Sequence, residues 1–275
     1  MIIDGNNFIS HHLKKDIPFA AGKLGGNELQ IIWCTLNKSN PWGQQFLKET
    51  QDVAGLYPVN SDTFTWFTDT VLEDLKHLDL APVWREDVLP GLEREIYKKH
   101  CSDVSITKLQ HLEPYFFDDP WTTYLKDKKV AVFSPFAKSI SNNFKNLSKI
   151  WNGKITPNFD LIPVQYPTAI TITKDTPYKN SREIYDETLN KVRELEFDVG
   201  IFGTGHTGLP LALECKKIGK TGLHLGGATQ IIFGIKGNRW EAIKEFQPFF
   251  NEYWTRPLES ETPEGINVVE EACYW

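Results

Sequence analysis

The stretch from Asp198 to Gly227 constrains this chain more than any other. Asp198 to Phe202 is a short apolar run, and Gly203-Thr204-Gly205-His206-Thr207-Gly208 follows it directly. A helical pattern then runs from about Thr207 to Ile218, Gly219 sits at the C′ position, and Thr221 to Leu225 forms a second apolar run. Glycine suits C′ because that residue usually takes a left-handed conformation. Strand, helix and strand at these spacings make a βαβ unit, which demands a parallel sheet with helices on both faces.

The rest of the chain is read against that unit. Lys129 to Ser134 (KVAVFS) is a further strand, followed by a helical segment carrying Phe144 and Leu147, and Asp160 to Val164 reads as another strand. Residues 181–196 form an amphipathic helix with Ile184, Leu189, Val192 and Leu195 inward, and Asn180 with Glu183 at capping-box spacing. Upstream, helices are predicted over 26–37, 62–79 and about 91–100, on apolar residues recurring at i, i+3, i+4 and i+7. In the first of them these are Leu29, Ile32, Trp33 and Leu36. Little strand signal accompanies them. The expected fold is therefore α/β: a Rossmann-like parallel sheet with helices on both faces and a helical N-terminal part. One domain over 1–275 is expected, with its helical part at about 1–125, its Rossmann-like part at about 126–240 and a tail at 241–275.

Composition narrows the function. The net charge is −6 with no run of five basic residues, so a dedicated nucleic-acid binder is disfavoured. Cys34, Cys101, Cys215 and Cys273 form no C-x-x-C pair and read as buried thiols of a reducing compartment. No stretch approaches the roughly 18–20 apolar residues of a transmembrane span, and the start of the chain has no basic, apolar leader pattern. A cytoplasmic protein is expected. Aromatic residues make up 13%, including 9 Trp. Such rings serve as platforms for sugars in some proteins and fill cores in most.

The loops suggest the chemistry. G-x-G-x-x-G between a strand and a helix lets backbone N–H groups approach a ligand closely, and the helix end adds about half a positive charge. Phosphate or pyrophosphate binds at such places. Gly203, Gly205, His206, Thr207 and Gly208 are the candidates. Gly226-Gly227-Ala228-Thr229-Gln230 is a second glycine loop after the next strand. It places Gly226, Gly227, Gln230 and His224 on the same rim, because ligands of open parallel sheets lie outside the carboxyl ends of the strands. Ser134 points to that rim from another strand. Arg239 and Trp240 form a pair suited to clamping a diphosphate or stacking on a base, or else to a surface ion pair and a core ring. A nicotinamide cofactor is disfavoured, because the strand that should end in a ribose-binding acid ends in His224-Leu225-Gly226. Near the start, Gly25, Gly26, Asn27 and Glu28 open a helix, with Glu28 either a first-turn acid or a catalytic group.

Three blocks carry a resemblance: GKLGGNELQ at 22–30, KKVAVFSPFAKSI at 128–140 and GLPLALECKKIGKTGLHLGGATQIIFGIKGNRW at 208–240, with NEYWTRP and CYW near the end. The chain resembles proteins of surface-polysaccharide gene clusters, which in turn are similar to GT-D-type glycosyltransferases. The resemblance implies a nucleotide-sugar donor and a glycan or glycoside acceptor. It makes Glu28 the Glu of an Asp-x-Glu segment whose Asp position is Gly26 here. Glu28 and His224 are then the catalytic candidates. The sequence identifies no metal ligands, and a divalent cation, Mn or Mg, stays open. Two other readings stay open as well. One is a different enzyme acting on a nucleotide or sugar phosphate, including an NAD-dependent oxidoreductase. The other is a non-catalytic scaffold of polysaccharide assembly.

Overall fold

In the computed structural model, which describes residues 1–38, 43–52, 54–87, 89–167, 176–266 and 272–275, seven parallel strands form one sheet. In chain order the elements are α1 (Gly5–Lys14), β1 (Ala20–Gly22), α2 (Gly26–Leu36), α3 (Gln44–Asp52), α4 (Ser61–Asp74), β2 (Leu80–Pro82), α5 (Leu92–His100) and β3 (Ser105–Thr107). There follow β4 (Lys129–Ser134), α6 (Ala137–Phe144), α7 (Leu147–Ile150), β5 (Asp160–Gln165), α8 (Ser181–Glu194), β6 (Val199–Phe202), α9 (Gly208–Lys217), β7 (Thr221–His224), α10 (Ala228–Ile232) and α11 (Asn238–Glu241). The strand order is β3-β2-β1-β7-β6-β4-β5.

The α/β expectation holds, and the N-terminal part is richer than expected. Besides its helices it contributes β1, β2 and β3, which extend the sheet beyond β7 through the pairs Ala20↔Gly222 and Ala21↔Leu80. These strands are three residues each and read AAG, LAP and SIT. Ala, Gly and Pro are poor strand formers, so no propensity signal announces β1 and β2, and β3 offers only three residues despite Ile106 and Thr107. Tertiary burial decides instead, since Ala20, Ala21, Leu80 and Ala81 are fully buried.

The longer strands behave as buried parallel strands do, apolar on both faces. Along β4, Val130 and Val132 join a core with Ile140, Leu147 and Ile150, whereas Ala131 and Phe133 pack with Val192, Leu211 and Cys215 on the opposite face. Helix α8 starts as its sequence suggests: Asn180 accepts from the Glu183 N–H at 3.0 Å. The Glu183 carboxylate reaches back to Lys179 N (2.7 Å), one residue short of a full capping box. Helix α2 departs from expectation on one face. Trp33 and Leu36 are 45% and 44% exposed, and Ile31 and Cys34 are buried beside Leu29 and Ile32.

All four cysteines are buried and none is in a disulfide. No helix among the described residues is long and apolar enough to cross a membrane. Of the tail, residues 267–271 lie outside the described residues.

Candidate functional site

The topology selects one crevice. From β4 the chain runs outward to β5, and from β6 it runs inward to β7, although β4 and β6 are neighbours. Connections that diverge from adjacent parallel strands leave an opening at the carboxyl ends, where ligands of open sheets bind. A pocket occupies that position. Ser134, Pro135 and Phe136 after β4 wall it, as do Gly203 to His206 after β6, Gly226, Gly227, Thr229 and Gln230 after β7, and Tyr166 and Tyr274.

Among the described residues no Asp, Glu, Lys or Arg side chain lines this cavity, yet polar atoms do. Thr204 Oγ1, Thr229 Oγ1, His206 Nε2 and Gln230 Oε1 are buried without a hydrogen-bond partner among the described residues. Their residues are 3%, 1%, 3% and 2% exposed. Buried polar groups are nearly always bonded, so four orphans around one cavity mark a place built for a partner. Two of them are acceptors by construction. Gln230 spends its amide N–H groups on the carbonyls of Tyr274 (2.9 Å), Lys236 and Ile235, which leaves its oxygen free. His206 Nδ1 lies 2.8 Å from the Ala54 carbonyl and must donate to it, which leaves a lone pair on Nε2. Burial pushes the His206 pKa down to about 4, so the ring is neutral at physiological pH. The cavity therefore suits a neutral group with N–H or O–H donors.

Removing one orphan tests this account. Thr229→Val keeps the shape and deletes the unpaired hydroxyl. A buried unsatisfied polar group costs about 1–3 kcal/mol, so the ligand-free variant is expected to melt a few degrees higher than the wild type. A lower melting temperature in scanning calorimetry would show the hydroxyl to be bonded already.

A second, charged chamber adjoins the first. It shares Ala54, Gly205, Gly226, Gly227 and Tyr274 with it. Lys23, Gly25, Gly26, Asn27 and Glu28 after β1 line it, with Trp84 and Arg85 after β2, His224 at the end of β7, Arg239 and Glu49. Lys23 and Arg85 lie over the Trp84 indole, 4.5 and 5.0 Å from a ring centroid. The indole is held by Trp84 Nε1 donating to the Leu24 carbonyl (3.0 Å). Burial lowers the Lys23 pKa most. Glu113 and Glu28 pull it back up, and Arg239 and Arg85 push it down further. Arg239 lies over the Tyr274 ring.

The glycines divide the two chambers by their backbone. Gly205 and Gly226 have φ of +58° and +59°, a conformation that side chains rarely adopt. A Cβ on Gly205 would also lie 3.2 Å from the Ala54 carbonyl. Substitution there strains the loop itself and is no clean probe of binding.

The structure gathers most of the candidates read from sequence. Ser134, Gly203, Gly205, His206, Gly226, Gly227 and Gln230 line the neutral cavity, and Gly25, Gly26, Asn27, Glu28, His224 and Arg239 line the charged cleft. Three candidates line neither chamber. Thr207 Oγ1 lies 2.9 Å from both the Tyr166 hydroxyl and the Thr204 carbonyl, so it ties the loop together. Gly208 makes room for a ring, because a Cβ there would overlap the His224 imidazole. Trp240 belongs to the main core and packs against Gly227 and Tyr274.

His224 stands at the end of β7 with one ring nitrogen engaged. Its Nδ1 is 3.0 Å from the Lys23 carbonyl and gives that oxygen its proton. Burial first, then the Lys23 charge, push its pKa down to about 3, so Nε2 keeps a lone pair. Glu28 occupies the third position of α2 and folds back so that a Cβ on Gly25 would overlap its carboxylate. Burial raises its pKa, while its own N–H and Lys23 lower it. Lys23, Trp84, Arg85, Thr204, Thr229 and Tyr274 were not singled out by sequence.

Among the described residues, Glu28 and Glu49 are the carboxylates that line the cleft. Among the described residues no three His, Cys, Asp or Glu side chains come together as a metal-binding group. Compared with known proteins, the chain matches no family model, no curated protein and no solved structure.

Proposed function

We propose that this protein is a glycosyltransferase that takes a sugar from a nucleotide-sugar donor and moves it to a hydroxyl of a glycan or glycoside. One observation carries the reading. Two chambers, one neutral with free acceptors and one rich in cations, share a partition of three glycines. A ligand that fills both has a neutral part bearing N–H or O–H donors and an anionic part, which describes a nucleotide-sugar. Three sequence blocks that carry the resemblance to GT-D-type enzymes also converge on this edge, through the β1–α2 turn, the end of β4 and the α9–β7–α10 unit.

In this reading the nucleoside enters the neutral cavity and the diphosphate crosses Gly205, Gly226 and Gly227 into the cleft. The acceptor oxygen attacks the anomeric carbon, and the bond from that carbon to the diphosphate oxygen breaks. The nucleoside diphosphate leaves with the electron pair. Glu28 takes the acceptor's proton, and burial, which raises its pKa, makes it a stronger base than an exposed carboxylate. Arg239 steadies the charge of the leaving group.

A thermal-shift screen against UDP-, GDP-, dTDP- and CMP-sugars and NAD(P) tests the reading. A ligand at a hundred times its dissociation constant stabilises by about 2.7 kcal/mol. At roughly 2–4 °C per kcal/mol this is an upward shift of roughly 5–10 °C. One nucleotide-sugar is expected to give it and NAD(P) is not. Stabilisation by NAD(P) alone would replace the transferase reading with an oxidoreductase. Stabilisation by none of them would favour a scaffold.

A further inference from the structure

We propose that Lys23 and Arg85 form a pyrophosphate clamp at the start of α2 that works without a divalent cation. The inference rests on the reading that the cleft receives the phosphates of the ligand, and it assigns their countercharge to two side chains of the protein.

The two cations come from adjacent strands. Lys23 follows β1 and Arg85 follows β2, and the pair Ala21↔Leu80 brings the strand ends together. Both side chains are then drawn to one indole, that of Trp84. The Arg85 backbone is fixed: the buried Glu93 carboxylate accepts from the N–H groups of Trp84 (2.8 Å) and Arg85 (2.7 Å). Among the described residues neither the Lys23 ammonium nor the Arg85 guanidinium has a carboxylate within ion-pair distance. Arg85 Nε is buried with no hydrogen-bond partner. Two like charges around one ring repel each other, with Glu113 and Glu28 acting on Lys23 only from beyond ion-pair distance, and an anion between the two relieves the repulsion.

The position of Arg85 adds an independent argument. A Cβ on Gly26 would lie 3.3 Å from Arg85 Nε and 3.6 Å from Nη2. The guanidinium therefore lies against the first residue of α2, an eleven-residue helix. That end of a helix is its positive pole, where a cation is disfavoured and an anion is stabilised. Arg85 and the first turn of α2 make sense together when a phosphate group bridges them. Glycine at 26 supplies the room, whereas a carboxylate there would pair with Arg85 and cancel the charge. Glu28 is the resident acid of this turn, and folding back over Gly25 leaves the Gly26 side to the guanidinium.

Calorimetric titration of the full-length chain with inorganic pyrophosphate tests the clamp, once in chelator and once with Mn or Mg. Binding in chelator is expected, with no requirement for either cation. Lys23→Met and Arg85→Gln are each expected to weaken it roughly 10- to 100-fold, the effect of losing charge-assisted hydrogen bonds. Lys23→Arg should retain most of the affinity, which separates loss of charge from loss of fold. Gly26→Asp should weaken binding in chelator. Should a neutralising variant fail to fold, the wild-type protein in chelator still decides. Absence of pyrophosphate binding until a divalent cation is added overturns the clamp, as does unchanged affinity in folded Lys23→Met and Arg85→Gln. Pyrophosphate binding in chelator without sugar transfer from any donor upholds the clamp and removes the transferase reading. Sugar transfer that depends strictly on a metal does the reverse.

Discussion

Glu28→Gln is expected to lower sugar transfer by roughly 100- to 10,000-fold, the range for removal of a general acid or base, while leaving the protein folded. The structure makes this substitution unusually clean. Glu28 is the third residue of α2, its carboxylate folds over Gly25, and it draws on its own N–H. Glutamine serves at that capping position as glutamate does. The cap therefore survives and only the charge and basicity go. Loss of the dipole interaction costs about 0.3–1 kcal/mol, too little to unfold a domain. Donor affinity should change far less than the rate, because Lys23 loses the attraction of the Glu28 charge while the incoming diphosphate loses its repulsion. Initial rates with the donor found in the thermal-shift screen give the answer. Near-full activity in Glu28→Gln would reduce Glu28 to a helix cap and make the match to an Asp-x-Glu segment misleading.

The two chambers differ in how far the sequence announces them. The neutral cavity stands on β4, β6 and β7, whose apolar runs and glycine loops are local signals: Lys129 to Ser134 reads as a strand and is one, with the same bounds. Gly203, Gly205, Gly226 and Gln230 were legible for that reason. The charged cleft depends on β1 and β2, which leave no pattern in three residues each. Lys23 and Arg85 meet only after those strands pair, so nothing in their own neighbourhoods points to either. Gly208 misled because a glycine that admits a phosphate and a glycine that admits the His224 ring look alike in sequence. Trp33 and Leu36 misled because a helical period fixes the element and leaves the buried face to its neighbours.

Between pH 4.5 and 6, wild-type stability is expected to depend on pH more steeply than that of His206→Asn, by about 1.4 kcal/mol per pH unit for the one proton concerned. The asparagine amide can still donate to the Ala54 carbonyl, so the loop keeps its anchor. The sign follows from the burial of His206, which pushes its pKa down to about 4 in the folded protein, against roughly 6.5 when unfolded. Below 6.5 the unfolded chain takes up a proton that the folded one refuses. The contribution of a neutral His206 is thus complete above that pH and is lost as pH falls toward 4, about 3 kcal/mol in all. Glu113 opposes the trend in absolute terms, because burial raises its pKa to about 7 and the folded state holds that proton more tightly. It does so in both proteins and cancels in the difference. His224, its pKa pushed down to about 3 chiefly by burial, adds a slope of the same sign over the same window and on to more acid pH, but it is present in both proteins and cancels in the difference as Glu113 does. Urea unfolding of both proteins at several pH values measures the two slopes. Equal slopes would mean that His206 is already charged in the folded state, and the cavity would then present a donor where this structure places an acceptor.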